Sequence, residues 1–360
     1  MSLLKTVRYR TQEELEKNSP SLKPCNGKAG LNLATIKRLH ALGAKAIHEV
    51  GQKLQYPVVT TATAVFYYHR FYAEQHFQEH DRLQVATACL FLSGKVEDTP
   101  KPLKVVITEM YTHRFKKDLS IQKRVMDDAT TYNLVKDRVL VVERSLLYTI
   151  GFDFNVDQSY VHSVHLRQLT TQYLDHRNPE GKGDNKRLAD YVLQAAFNLI
   201  NDSQRLTLCL QFPASQIGIA CFYLAMKLVL LESRSKNDGK PTPLLGGGRP
   251  LYEFFTDILN YVEVSPRGLT PSQREKYVSE RLKERNERFK VASEDIHKMS
   301  KQIISMYERQ SLEEGEILTP VKPHPPSGAV KRERPLEPGK APGTNGSPQV
   351  APAEKKLKSV

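Results

Sequence analysis

The chain has no tryptophan and only four cysteines in 360 residues. Cys25, Cys89, Cys209 and Cys221 form no Cys-x-x-Cys pair, which excludes a zinc ribbon and a dithiol redox centre. Cys89 and Cys221 lie inside apolar runs and read as buried free thiols in a reducing compartment. Phosphate-cradling glycine motifs are also missing. The run Gly246-Gly247-Gly248 lacks a following Lys-Ser/Thr pair and a strand-to-helix setting. His76 and His80 stand four residues apart, but no glutamate stands directly beside the first of them, so the pair reads as surface decoration. No catalytic constellation, cofactor motif or metal-ligand set is left. No apolar run approaches the length of a membrane span, and the N-terminus has no signal-peptide pattern, which points to a nuclear or cytosolic chain. Strand-like alternation is weak throughout, so the expected class is all-α.

What the chain has in excess is positive charge. A formal charge of +13 suits an acidic partner, whether nucleic acid, a phosphorylated polypeptide or an acidic protein surface, and equally suits plain solubility. Most of this excess lies before residue 311, so a basic tail does not account for it.

Helical periodicity starts near Asn32. Ile36, Leu39, Leu42, Gly43, Ile47, Val50 and Leu54 recur at three- and four-residue steps, and Pro57 breaks the pattern. A second helix is expected over 58–77, bulky on the face of Val65, Phe66, His69 and Tyr72. The stretch 81–102, DRLQVATACLFLSGKVEDTPKP, is apolar or small almost all round and predicts a helix buried within a bundle. Pro100 and Pro102 end it. Shorter patterns predict helices over 105–111 and 132–150, the latter closed by Gly151. Residues 1–31 read as an arm with at most a short helix at 11–17.

An internal repeat organises the rest. Aligning Gln84 with Gln216 without gaps brings Ala88 onto Ala220, Cys89 onto Cys221, Leu92 onto Leu224 and Lys95 onto Lys227. A helix over 187–202 precedes the second copy, and one over 252–261 is matched with 132–150. The expectation is therefore two tandem five-helix bundles, 32–156 and 157–266, followed by a charged amphipathic helix at 267–310 and a disordered Pro-rich tail at 311–360. Thr270, Pro271 and Gln273 mark the start of the charged helix. Leu282, Phe289, Ile296 and Ile303, with Val278, Ala292, Met299 and Met306 beside them, give it one apolar stripe. That stripe either packs on its own domain or takes a partner helix. The stretch 232–250 reads as a mobile Gly/Pro-rich loop. In the tail, 331–335 and 355–358 are weak nuclear-import motifs, and Thr319-Pro320 and Ser347-Pro348 are kinase-target pairs.

Four motifs then point to a family: FYYHRFY (66–72), FLSGKVEDTP (91–100), VVERSLLYTIGFDF (141–154) and NLINDSQRLTLCLQF (198–212). In this order they resemble the paired cyclin boxes of cyclins, closest to the transcription-type K and T class. The resemblance covers roughly residues 32 to 265. It implies a non-catalytic regulatory subunit that forms a heterodimer with a cyclin-dependent protein kinase, in the nucleus. That kinase would phosphorylate Ser-Pro sites in the C-terminal repeats of RNA polymerase II and promote elongation, and a basic surface would help retain those repeats.

Carried over residue by residue, the resemblance assigns kinase binding to Phe91, Lys95, Asp98, Glu143 and Phe152. Lys95 and Glu143 either pair within the bundle or offer their polar ends to the kinase. Phe91 and Phe152 match residues that pack on the kinase's αC helix, and Asp98 stands where relatives carry glutamate. The first helix lacks the Met-Arg-Ala-Ile-Leu substrate-docking pattern of cell-cycle cyclins, and no Arg-Ser tract follows the boxes. The segment 274–290 looks like an extension without an assigned role. The alternative is a transcription factor IIB-like protein that holds DNA directly through its basic charge. The absent N-terminal zinc ribbon counts against it, and direct nucleic-acid contact stays open.

Overall fold

The computed structural model describes residues 9–116, 127–236, 250–261, 279–280 and 293–314. Among these the only β-type pairing is the isolated bridge between Cys25 and Lys28, and everything else regular is helical. The helices are α1 (Gln12–Lys17), α2 (Leu33–Lys53), α3 (Val58–Glu74), α4 (Arg82–Val96), α5 (Leu103–Arg114) and α6 (Ala129–Ile150), then α7 (Ser159–Arg177), α8 (Lys182–Ser203), α9 (Ala214–Lys236), α10 (Leu251–Asn260) and α11 (Ser293–Glu314).

Local chemistry explains the helix ends. Asn32 caps α2 by accepting from the Thr35 amide at 2.8 Å. Asp81 caps α4, accepting from the Leu83 and Gln84 amides at 3.1 and 3.0 Å. Asp128 does the same for α6 through Thr130 and Thr131. Prolines stand immediately before α3, α5 and α10, where a missing N–H costs nothing. In the arm, Thr11 and Glu14 close a reciprocal capping box over α1.

The first core surrounds α4. Val85, Ala86, Ala88, Cys89, Leu90 and Leu92 are buried on every side of this helix, as an all-round apolar pattern requires. Against it pack α2, α3, α5 and α6. Tyr67, Tyr68 and Tyr72 of α3 fill the interior, each hydroxyl donating to a backbone carbonyl: Phe154, Leu39 and His80, at 3.0, 3.0 and 2.9 Å.

The second core surrounds α9 in the same register. Ala220, Cys221 and Leu224 are buried as Ala88, Cys89 and Leu92 are, while Lys95 and Lys227 both emerge into solvent. Three readings from the sequence need correction here. A helix the periodicity did not reveal, α7, packs on both α8 and α9. Its Leu166, Leu169, Tyr173 and Leu174 are buried, but buried His162, Ser163 and Thr170 dilute its apolar pattern. Next, α10 is not the counterpart of α6: it packs on α7, whereas the helix lying along central α9 is α11. The apolar stripe of α11 therefore packs on its own chain, burying Ile296, Met299, Ile303 and Met306. Finally, the segment Ala214–Ser233 of α9 is long and apolar enough to cross a membrane by length and composition. Reading uninterrupted apolar runs missed it because Lys227 and Glu232 fall inside the stretch. Two thirds of it is buried in the protein, as befits a core helix.

The arm straps the two cores together. The Arg10 amide donates to the Leu210 carbonyl of the second, and its guanidinium pairs with Glu74 of the first. Ser21, fully buried, accepts from the Phe77 amide at 2.9 Å. The start of the charged helix at Thr270, its positions Val278, Leu282, Phe289 and Ala292, the loop at 237–249 and the tail motifs lie outside the described residues.

Candidate functional site

The central helix α4 ends in a tight arrangement of the residues singled out above. Phe91 and Lys95 are one turn apart, and the Lys95 ammonium sits 3.9 Å from the Phe91 ring centroid. The same ammonium donates to Glu143 Oε1 of α6 at 2.7 Å. The pair is lopsided: the Glu143 side chain is 9% exposed and that of Lys95 is 46% exposed. The carboxylate is held inside by the fold, and the lysine carries the charge to the surface. An ion pair open to water on one side contributes little stability, under about 1 kcal/mol. Its stronger effect is positional, since a buried carboxylate fixes where the ammonium can sit.

Two helix ends finish the surface. After Val96 the chain turns through Asp98 at φ 52°, and the Thr99 amide returns to the Gly94 carbonyl at 2.9 Å, a Schellman closure. Aspartate tolerates the left-handed region, and the Asp98 side chain is exposed. A Cβ at Gly94 would lie 2.5 Å from the Tyr56 hydroxyl, so a larger residue there would have to displace that ring. After Ile150 the chain turns through Gly151 at φ 65° and Phe152 at φ 56°. Phe152 is 56% exposed, edge-on to Tyr148 at 5.8 Å and to Phe154 at 6.4 Å between centroids.

This turn is pinned from behind by α3. Arg70 donates to the Ile150 carbonyl at 3.0 Å, pairs with Asp153 at 3.4 Å and lies over the Phe66 ring, while Tyr67 holds the Phe154 carbonyl. The structure thus brings Phe91, Lys95 and Glu143 into contact. It sets Asp98 at the end of the same helix and Phe152 beyond the end of α6, neither touching the triad by any hydrogen bond, ion pair or ring contact.

Sequence reasoning missed three exposed apolar residues on α6 and the turn that closes it. Tyr148 is 76% exposed, and Val141, seven residues earlier on the same side of α6 and turned well away from Glu143, is 57% exposed. Phe154 extends the aromatic row. The seven-residue spacing from Val141 to Tyr148 was a readable signal, masked by the apolar residues around it. Glu97 was missed as well. It accepts from Thr63 Oγ1 at 2.7 Å, and that hydroxyl accepts from Gln158 Nε2 at 2.9 Å, linking the end of α4 to the junction between the cores. A cleft of about 740 Å³ opens at this junction, lined in part by Tyr9, Phe66, Asp157, Gln158 and Phe212. Among the described residues no group of three His, Cys, Asp or Glu side chains could hold a metal ion.

Comparison with known proteins places this geometry in a family. The family model for the cyclin N-terminal domain matches residues 9–155. A putative cyclin-T1-1 of Arabidopsis thaliana is 32% identical over 222 residues, 61% of this chain and 78% of that protein. The chain belongs to the cyclin family. Other similar cyclins include Cyclin-T1-3 of Oryza sativa subsp. japonica, 34% identical over 273 residues, 74% of this chain and 50% of that protein. Cyclin-K of Homo sapiens is 36% identical over 203 residues, 56% of this cyclin and 31% of that one. This cyclin thus spans half or less of several of the relatives it matches. A solved structure, the yeast RNA Pol II CTD kinase CTDK-1 complex, contains a chain with a TM-score of 0.48 and 17% identity, covering 76% of this chain and 82% of that chain.

Proposed function

We propose that this cyclin is the regulatory subunit of a cyclin-dependent protein kinase. It would perform no phosphoryl transfer itself and would act in the nucleus in RNA polymerase II transcription. The observation that carries this reading is the end of α4 against α6, where a buried glutamate presents a surface lysine over Phe91, together with the exposed aromatics Tyr148, Phe152 and Phe154 at the end of α6. A row of exposed aromatics with one anchored charge is the composition of a docking hot spot.

The mechanism follows from kinase physics. A protein kinase needs the glutamate of its αC helix paired with the lysine that holds the ATP phosphates. A rigid helical face packed on αC shifts the population towards that arrangement. Phe91 and Phe152 would supply the apolar contact, and Lys95 and Asp98 the polar ends that orient it. The similarity to T and K cyclins favours Ser-Pro repeats of the polymerase as substrate and elongation as the step served.

The test is co-expression with a cyclin-dependent kinase, affinity recovery, and phosphate transfer to a Ser-Pro repeat peptide. Lys95→Glu combined with Glu143→Ala is expected to abolish kinase recovery and activity while leaving the helical circular dichroism intact. Undiminished kinase recovery by a folded double variant would overturn the proposed face. Specific duplex DNA binding without any kinase would favour the transcription factor IIB-like alternative.

A further inference from the structure

At the opposite end of α4, about 20 Å from Lys95 at 1.5 Å per residue, the structure gathers a second set of charges. Lys45, Glu49 and Lys53 lie along one face of α2 at four-residue steps. The end of α5 lies against them: Lys116 Nζ is 2.8 Å from Glu49 Oε2, and His113 Nδ1 is 3.2 Å from the same oxygen. Arg82 opens α4 beside Asp81, and Asp81 is bound by Arg114 at 2.9 Å and by the amides it caps. The two carboxylates are thus already engaged, and among the described residues Lys45, Lys53 and Arg82 make no close ion pair, although Lys45 also acts on Glu49 through space.

The potential is felt locally. Burial, together with the positive charges of Lys116, Lys53 and Arg82, holds the His113 imidazole below its ordinary range despite the opposing pull of Glu49. Clustering of this kind costs repulsion in the free protein and is relieved by an anion.

We infer that this α2–α5 patch is a docking surface for an extended polypeptide carrying two phosphoserines about four residues apart. The spacing comes from the helix. Lys45 and Lys53 are separated by eight residues, about 12 Å, which an extended chain spans in about four residues. Exposed Lys45 and Lys53 present point charges to phosphate dianions, and half-buried Arg82 adds a guanidinium fork beside them. A nucleic acid fits less well, because single-strand binding needs open aromatic faces for the bases. Tyr111 and Phe115 beside the patch are half-buried and packed on each other, tilted by 41° with centroids 5.7 Å apart. This inference rests on the kinase-subunit reading for its biological sense, since the products of such a kinase are phosphorylated repeats. It would let the cyclin retain a partly phosphorylated substrate for further rounds.

The test uses the full chain without a kinase, so it is independent of that reading. A Ser-Pro repeat peptide with two phosphoserines four residues apart, and its unphosphorylated twin, are titrated by fluorescence anisotropy. The phosphopeptide is expected to bind at least tenfold tighter, with an affinity that falls as salt rises. Lys45→Glu with Lys53→Glu, both surface positions, is expected to remove that preference while keeping the melting temperature. A co-purified kinase should show unchanged activity on the unphosphorylated peptide with this variant. Equal binding of the two peptides, full binding by the folded variant, or tighter binding of a single-stranded RNA of equal charge would each overturn the inference. A chain that prefers the phosphopeptide yet recovers no kinase would refute only the regulatory reading.

Discussion

Phe152 holds a backbone conformation that glycine or asparagine would adopt with less strain. A bulky side chain at φ 56° costs on the order of 1 kcal/mol, and the ring is not repaid by burial, being more exposed than hidden. The kinase contact proposed above would account for such a residue. Phe152→Asn, which relieves the strain, is expected to leave thermal stability unchanged or slightly raised while weakening kinase recovery at least tenfold. A variant that loses stability and binding together would show a structural role instead. Phe91, Lys95 and Glu143 were legible because their motifs are contiguous and the family resemblance names them. Glu97, Tyr148 and Phe154 were not, because what marks them is exposure or a hydrogen-bond partner in another helix.

At the scale of the element, α11 is the most informative. Its sequence shows a stripe and nothing about what covers it. In the fold it lies along α9 and completes the second core, with Met299 and Ile303 fully buried and Ile304 next to them 41% exposed. Ile303→Ala is expected to cost about 2–5 kcal/mol in urea denaturation, whereas Ile304→Ala should stay within about 0.5 kcal/mol. Equal effects at the two positions would mean that the helix does not pack in this register. Helix bodies were readable almost throughout, from α2 to α6 and in α8 and α9, because a period near four residues is written locally. The exception, α7, buries polar His162, Ser163 and Thr170: Thr170 bonds back to the Leu166 carbonyl and His162 meets Asp157 nearby, but Ser163 relies on the Gly218 carbonyl, 55 residues away, at 3.2 Å.

Across the whole molecule the two cores meet through a buried imidazole relay. His69 Nε2 lies 2.8 Å from the Gln204 carbonyl, which cannot donate, so this nitrogen carries the proton. Its Nδ1 is then an acceptor, and His40 Nδ1, 2.9 Å away, donates to it. Both rings are neutral in this arrangement, and protonating His69 would set two N–H groups against each other. Burial lowers the His69 pKa to about 4, opposed by its bond to the Gln204 carbonyl, and burial, with the neighbouring His69 ring, holds that of His40 well below its ordinary value. The folded pKa lies below the unfolded value of about 6.5, so below that pH the unfolded chain binds protons that the folded chain does not. Stability should hold above pH 6.5 and fall progressively towards pH 4, by roughly 3 kcal/mol from His69 alone. Urea midpoints between pH 7.5 and 4.5 measure this. The slope should be shallower in His69→Gln, and an unchanged slope would rule the relay out as its source.

The sequence by itself determined the all-helical class, the duplicated central helix and the motifs of the α4–α6 face. Each of these rests on spacings of a few residues, where backbone geometry and side-chain size act directly. Only the tertiary structure decided which helix closes the second core, that α9 is a core helix and not a run broken by charge, and that His69 and Gln204, 135 residues apart, share a hydrogen bond. It also separated the two ends of α4, one holding a lysine fixed by a buried glutamate, the other gathering lysines and arginines from three helices. The physical reason is the same in each case. Burial and charge clustering are properties of neighbours in space, and no local pattern records which neighbours those will be.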